Sequence, residues 1–472
     1  MTVRRPSEIA MDRFVRSAPG LRAPHVARPD PTLPTLPDLK KLAQDRRSAG
    51  LAVIDQSAGD IDDVGQPLAP EFGAWIEHSR DTLVTNGARA FRRTAGDAYG
   101  FPANYTQQYP VVLEALVASW GIQSTPTRSV QTLSGRAALD FAFRGLLARA
   151  KAAGLSGPPA LILDPLAWSG YGTLARDLGL TLVNGPAVGG HGLSNTADGL
   201  AEAIAFAKAQ GLAPVGVIPI LPSNPTGVGM ASDELRRFVE VAAAADIPVL
   251  IDGFYSPLHP DGHAAAVPMG ELERTLSPEA LGMLGLIIGE TKVTSSQNKT
   301  GSLIWMAPTG HDAVAKTVVG AAVGRMKTTN CYPRPQEALV AYALHTFPGG
   351  VQAAMGPRYA ALDATRKAMT ASCDALGLPL SIGGSFYGTV ALVDAEGRGL
   401  VRDAEGRPLT GAREVSELLI ERFGLVGAPG GMFSSAPEAN LMVRMTAAVT
   451  LEDVQKVDEI LRRMLDDAQR LG

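Results

Sequence analysis

Cysteine is nearly absent from the chain: there are two in 472 residues, Cys331 and Cys373, far apart and outside any CxxC or Cys/His cluster. That leaves no disulfide framework and no structural zinc site, so no metal is expected, and a reducing, cytoplasmic setting fits. No run of about eighteen apolar residues is present to span a bilayer, and the opening MTVRRPSEIAMDRF lacks the apolar core of a secretory signal. Positive charge is not in excess either: 43 Lys and Arg against 47 Asp and Glu leave a net charge of −4. Without a basic surplus neither nucleic acid nor a membrane is an expected partner, and small molecules are. Internal repeats are also missing. Apolar residues, at 46%, are sufficient for the cores of two or three ordinary domains.

Residues 1 to about 40 are dense in Pro and Arg, as in RAPHVARPDPTLPTLPDL. Proline so frequent argues against regular helix or central strand, which predicts an extended arm. A short strand is expected at 51–54 and helices at 71–94 and 111–120. Beyond residue 130 apolar strand candidates at 160–163, 181–183, 215–220, 249–251 and 284–288 alternate with helix candidates such as 201–210 and 233–244. Strands alternating with helices predict an α/β fold around a largely parallel sheet covered on both faces. After about residue 338 long helices and a few strands read as a second, smaller α/β domain. In such sheets ligands bind beyond the carboxyl ends of the strands.

The loops at those ends carry the chemistry. In IIGETKVTSSQNKTGSL, residues 287–303, an apolar run gives way to a polar loop presenting Lys292. A lysine so placed is partly desolvated, which frees its amine for a Schiff base. VQTLSGRAALDF sets Ser134, Gly135 and Arg136 just before a helix, where backbone amides and a small residue make a phosphate cradle. DPLAWSGY supplies Trp168, a ring able to stack on a flat heterocycle. LPSNPTG ends a strand with Asn224, whose amide can donate to a phenolate oxygen. IPVLIDGFY puts Asp252 at the end of a fully apolar strand, with Tyr255 three residues on. A carboxylate there is costly unless a cation faces it, and a pyridinium nitrogen is such a cation. Singly, each motif has a plainer meaning: a solvated lysine, a corner, a core tryptophan, a turn, a cap.

Together and in this order the stretches resemble the fold type I pyridoxal 5′-phosphate enzymes, in particular the class I/II aminotransferase family, over roughly residues 50–470. The resemblance implies a three-layer α/β fold: a large domain around a mostly parallel seven-stranded sheet and a smaller C-terminal α/β domain. It implies residues 1–45 as an arm, 46–95 as a segment joining the small domain, 96–345 as the large cofactor-binding domain and 346–472 as the small domain. Lys292 would hold pyridoxal 5′-phosphate as a Schiff base and move the proton at the substrate α-carbon. Asp252 would keep the pyridine nitrogen protonated, Asn224 and Tyr255 would bond the phenolate oxygen, and Trp168 would stack on the ring. Ser134, Gly135, Arg136 and Lys299 would bind the phosphate, joined by Tyr99 from the partner of a homodimer whose sites are completed across the interface. Arg444, in LMVRM, would clamp the substrate α-carboxylate, and Gly59 would belong to a loop closing over the substrate.

The chain departs from the family where S-x-S-K and, eight residues on, R-x-G are usual; here stand Gly289-Glu290-Thr291-Lys292 and Lys299-Thr300-Gly301. Lys299 is a point charge rather than a planar fork, and Arg136, where a small residue is more common, offsets the difference. Ser295 and Ser296 offer further hydroxyls. Lys299 is the alternative Schiff-base lysine, and Glu290 has no assigned role. The basic turn carrying Arg325, Lys327 and Arg334 is read as solvated, or as reaching a distal anionic group of the substrate in the neighbouring subunit. The expected activity is an aminotransferase acting on an α-amino acid. The alternative is a lyase or synthase of the same fold, similar to aminocyclopropane-carboxylate synthase, acting on S-adenosylmethionine or another γ-substituted amino acid.

Overall fold

Five apolar segments whose residues are buried on both faces of a sheet dictate the centre of the fold: β4 (Pro159–Leu163), β5 (Thr181–Asn184), β6 (Ala213–Ile218), β7 (Val249–Asp252) and β8 (Leu284–Ile288). The computed structural model describes residues 4–28, 30, 32–57, 59–86, 110–188, 193–294, 299–329 and 331–471. The five strands run parallel in the order β5-β4-β6-β7-β8. β9 (Gly301–Met306) follows antiparallel to β8, and β3 (Thr127–Thr132) closes that edge antiparallel to β9. β9 has no counterpart in the expected alternation.

Helices cover both faces, as a parallel sheet requires. On one face Gly135–Ala152 lies against Ala313–Thr329 so closely that a Cβ on Gly145 would sit 2.6 Å from the Val318 Cα. On the other face lie Ala197–Ala209 and Ser232–Ala244, whose Leu200, Ala203, Leu235 and Phe238 share one core with β4, β6 and β7.

The smaller layer is a four-stranded antiparallel sheet, β10 (Leu380–Ile382), β11 (Tyr387–Ala391), β14 (Met442–Thr446) and β13 (Ala428–Pro429), with helices Gly356–Leu376 and Leu451–Leu471 packed together beside it. β2 (Ile54–Asp55) pairs in parallel with β12 (Leu425–Val426), which ties residues 54–55 to this layer. Helix Phe72–Asn86 covers all but residue 71 of the described part of the segment expected to be helical at 71–94. Among the described residues no helix is long and apolar enough to cross a membrane.

The N-terminal segment corrects two expectations. The sheet has eight strands rather than seven, because β1 (His25–Val26) adds antiparallel to β5 at the edge. The segment is also not simply extended: Pro6–Ser17 and Leu36–Ser48 are helices, the second running across residue 45. Both carry proline in the first turn, Pro6 and Pro37, where the missing N–H has no partner to lose and the fixed φ suits a helix. The first helix buries Met11, Phe14 and Val15 in a cluster with Leu166, Phe433 and Met442.

Candidate active site

The carboxyl ends of β6, β7 and β8 and the turn before helix Gly135–Ala152 open into one cavity of about 600 Å³. Ser134, Gly135, Arg136, Trp168, Asn224, Asp252, Tyr255, Lys292, Lys299 and Arg444 all line it. Gly59 does not; it packs against Phe386 and Thr446, where a Cβ would collide with the threonine hydroxyl. Tyr99, Ser295 and Ser296 lie outside the described residues.

Asp252 ends β7 with its carboxylate buried. Tyr171 Oη donates to its Oδ2 at 2.5 Å and the Phe254 N–H to its Oδ1 at 3.2 Å. Burial nonetheless outweighs these bonds and the nearby Lys292, and raises its pKa above the usual carboxylate range. Behind it Asp164 is pushed up to about 7 by burial and, to a lesser degree, by the charge of Asp252, although the Ile220 N–H donates to it at 2.9 Å. Two carboxyls of this kind call for a cation at the cavity end of Asp252.

Asn224 bridges two groups: its Nδ2 donates to Tyr255 Oη at 3.2 Å, and its Oδ1 accepts from Arg444 Nη1 at 2.9 Å. Burial raises the pKa of Tyr255 well above its ordinary value, so its phenol keeps its proton. Arg444, on the buried strand β14, also donates to the Ser57 carbonyl and lies with Cζ 3.9 Å from the Tyr387 ring centroid and 5.1 Å from that of Phe433. Its Nε is buried without a hydrogen-bond partner, a donor directed at no protein atom. Lys292 is half-buried, with Nζ 5.5 Å from the Tyr255 ring centroid and 5.7 Å from that of Phe386, whereas Lys299 is exposed.

The turn before helix Gly135–Ala152 depends on close backbone approach. Ser134 caps the helix by accepting from the Ala137 N–H at 3.2 Å. A Cβ on Gly135 would lie 2.0 Å from Phe254 Cζ, and one on Gly301 would lie 2.6 Å from the Gly135 nitrogen. Arg136 reaches over Trp168 at 5.6 Å, and Trp168 meets Tyr171 edge-on at 5.4 Å.

Glu290 is not part of the cavity lining. Its carboxylate, 1% exposed, accepts from Thr300 Oγ1 and lies 3.3 Å from His345 Nε2, while Ser119 Oγ and His345 Nδ1 are 2.8 Å apart. The residue thus ties the start of the lysine loop to its end and to helix Pro335–Thr346. Sequence reasoning missed this pair, and it missed Tyr171, Phe254, Tyr387 and Phe433. Tyr171 and Phe254 stand inside the quoted WSGY and DGFY stretches; Tyr387 and Phe433 carry no such signal.

A buried carboxylate wanting a cation, a helix N-terminus flanked by Arg136 and Lys299, a stacking ring and a half-buried lysine fit pyridoxal 5′-phosphate, and fold and site together define a fold type I enzyme of that cofactor. The chain belongs to the class I and II aminotransferases, whose family model matches residues 77–461. Its fold is similar to that of Thermus thermophilus aspartate aminotransferase with maleate, at 17% identity and a TM-score of 0.64 over 96% of this chain and 99% of that one. Bna3p of Saccharomyces cerevisiae has a TM-score of 0.67 at 15% identity, covering 92% of this chain and 97% of its own. An archaeal alanine:glyoxylate aminotransferase has 0.64 at 16%, covering 93% and 96%. No curated protein sequence matches the chain significantly.

Proposed function

We propose that this aminotransferase works at the α-carbon of an amino acid through Lys292. The observation that carries the reading is the convergence of Lys292, Asp252, Asn224 and Arg444 on one cavity at the carboxyl ends of the parallel strands. When bound, pyridoxal 5′-phosphate supplies an aldehyde that captures the substrate amine and a ring that takes up the electrons left at the α-carbon.

The chain's own residues do the rest. Ser134, Gly135 and Arg136, with Lys299, hold the phosphate at the positive end of the helix. Asp252 holds a proton on the ring nitrogen opposite it, and Tyr171 fixes the carboxylate's orientation. Trp168 holds the ring by stacking, and Asn224 with Tyr255 bonds the phenolate oxygen. Lys292 would hold the aldehyde through Nζ, and the same atom would move the proton at the substrate α-carbon. The rings of Tyr255 and Phe386 keep water from that nitrogen. Arg444 binds the α-carboxylate through its guanidinium. The protein works as a homodimer.

The test is the absorbance of the holoenzyme on adding amino acids without a keto acid. Transamination predicts that the yellow cofactor band bleaches and returns when a keto acid follows. A band that persists while the amino acid is consumed overturns transamination and assigns the lyase or synthase chemistry of the same fold.

A further inference from the structure

Among the apolar side chains of the cavity that none of the roles above uses, Leu36, Met432 and Phe433 lie together. Phe433 stands 5.1 Å from the Arg444 guanidinium, so a carboxylate held there brings a substrate's side chain against its ring. Leu36 and Met432 are half-buried and pack on the apolar cluster that contains Phe433. Leu36 comes from the N-terminal segment, outside the residues that match the family model.

Its position is held firmly. Thr35 caps helix Leu36–Ser48, Leu39 and Ala43 bury themselves against Ile420 and Val426, and Arg413 Nε donates to the Thr32 carbonyl at 2.7 Å. The helix therefore fixes one wall of the cavity.

The charges around the cavity point the same way. Its described lining has four cations, Arg136, Lys292, Lys299 and Arg444, and one carboxylate, Asp252. Phosphate, aldehyde, ring nitrogen and α-carboxylate engage all five. Among these described residues a distal carboxylate on the substrate would meet no spare cation, and a distal ammonium no spare carboxylate, so either would be desolvated there without a partner. An apolar side chain loses nothing and gains contact with the wall.

We propose that Leu36, Met432 and Phe433 form the side-chain subsite and that the substrate is an α-amino acid with an uncharged, apolar side chain. This rests on the proposed function, in particular on Arg444 as the α-carboxylate clamp. The experiment measures second-order rates of cofactor bleaching in the holoenzyme with alanine, leucine, methionine, phenylalanine, aspartate and lysine.

The best of the three large apolar amino acids should exceed aspartate and lysine by at least about tenfold. Leu36→Ala should lower the leucine-to-alanine rate ratio by about tenfold, while Leu36→Met largely restores it. Leu36→Lys, which needs no cavity to be tolerated, should raise the aspartate-to-leucine ratio. Aspartate or lysine matching the best apolar amino acid in the natural protein overturns the subsite while leaving the proposed function standing. Unchanged ratios in both Leu36→Ala and Leu36→Lys overturn it as well. If no amino acid bleaches the band, the proposed function fails and the subsite with it.

Discussion

Replacing Asp164 by asparagine should make the cofactor-free protein less sensitive to alkaline conditions. The native carboxyl holds its proton up to about pH 7, while in the unfolded chain the same group ionises near its ordinary value of 3.8. Between those values the native state binds more protons, so wild-type stability falls as pH rises, and the loss is complete above about pH 7. A displacement of this size corresponds to about 4 kcal/mol at about 1.4 kcal/mol per pKa unit. About 2–3 kcal/mol of it develops between pH 5 and pH 8. Asparagine cannot ionise, and its carbonyl can still accept from the Ile220 N–H. The assay is urea unfolding of both proteins at pH 5 and pH 8. The variant's stability relative to wild type should rise by about 2–3 kcal/mol from the lower to the higher pH. Because the comparison is a double difference, any pH-independent cost of the substitution cancels. Equal pH slopes in the two proteins would refute the reasoning.

Three further outcomes are expected. Glu290→Ala strands His345 and the Thr300 hydroxyl in the interior and should cost about 1–3 kcal/mol of stability in urea unfolding, with Glu290→Gln costing less; an unchanged midpoint contradicts the buried contact. Arg444→Ala should raise KM for the amino acid roughly 10- to 100-fold, the worth of charge-assisted hydrogen bonds; an effect confined to kcat argues against carboxylate binding. Gly135→Ala drives a methyl group into the Phe254 ring and should weaken cofactor retention on dialysis, whereas full retention means that the cradle does not need this close approach.

What could be read in the sequence was whatever a single strand end displays. Asp252 follows a fully apolar strand and Lys292 follows the next one along the sheet, so their neighbourhood is implied by the alternation itself. Asn224 and Ser134 stand at turns of the same kind. Contacts closed by the tertiary fold were not legible. Glu290 meets His345 across 55 positions of chain, and nothing local marks either as the other's partner. Leu36 reaches the cavity only because helix Leu36–Ser48 docks on Ile420 and Val426. The N-terminal helices were hidden by their prolines: density of proline argues against helix, but Pro6 and Pro37 sit in first turns, where the argument does not apply.

The most direct test of the account is to reduce the holoenzyme with borohydride, digest it and find the lysine that carries the cofactor. Lys292, half-buried between Tyr255 and Phe386, should bear the label, and Lys292→Ala should lose both label and turnover. Label on the exposed Lys299, or full activity without Lys292, would contradict the central claim.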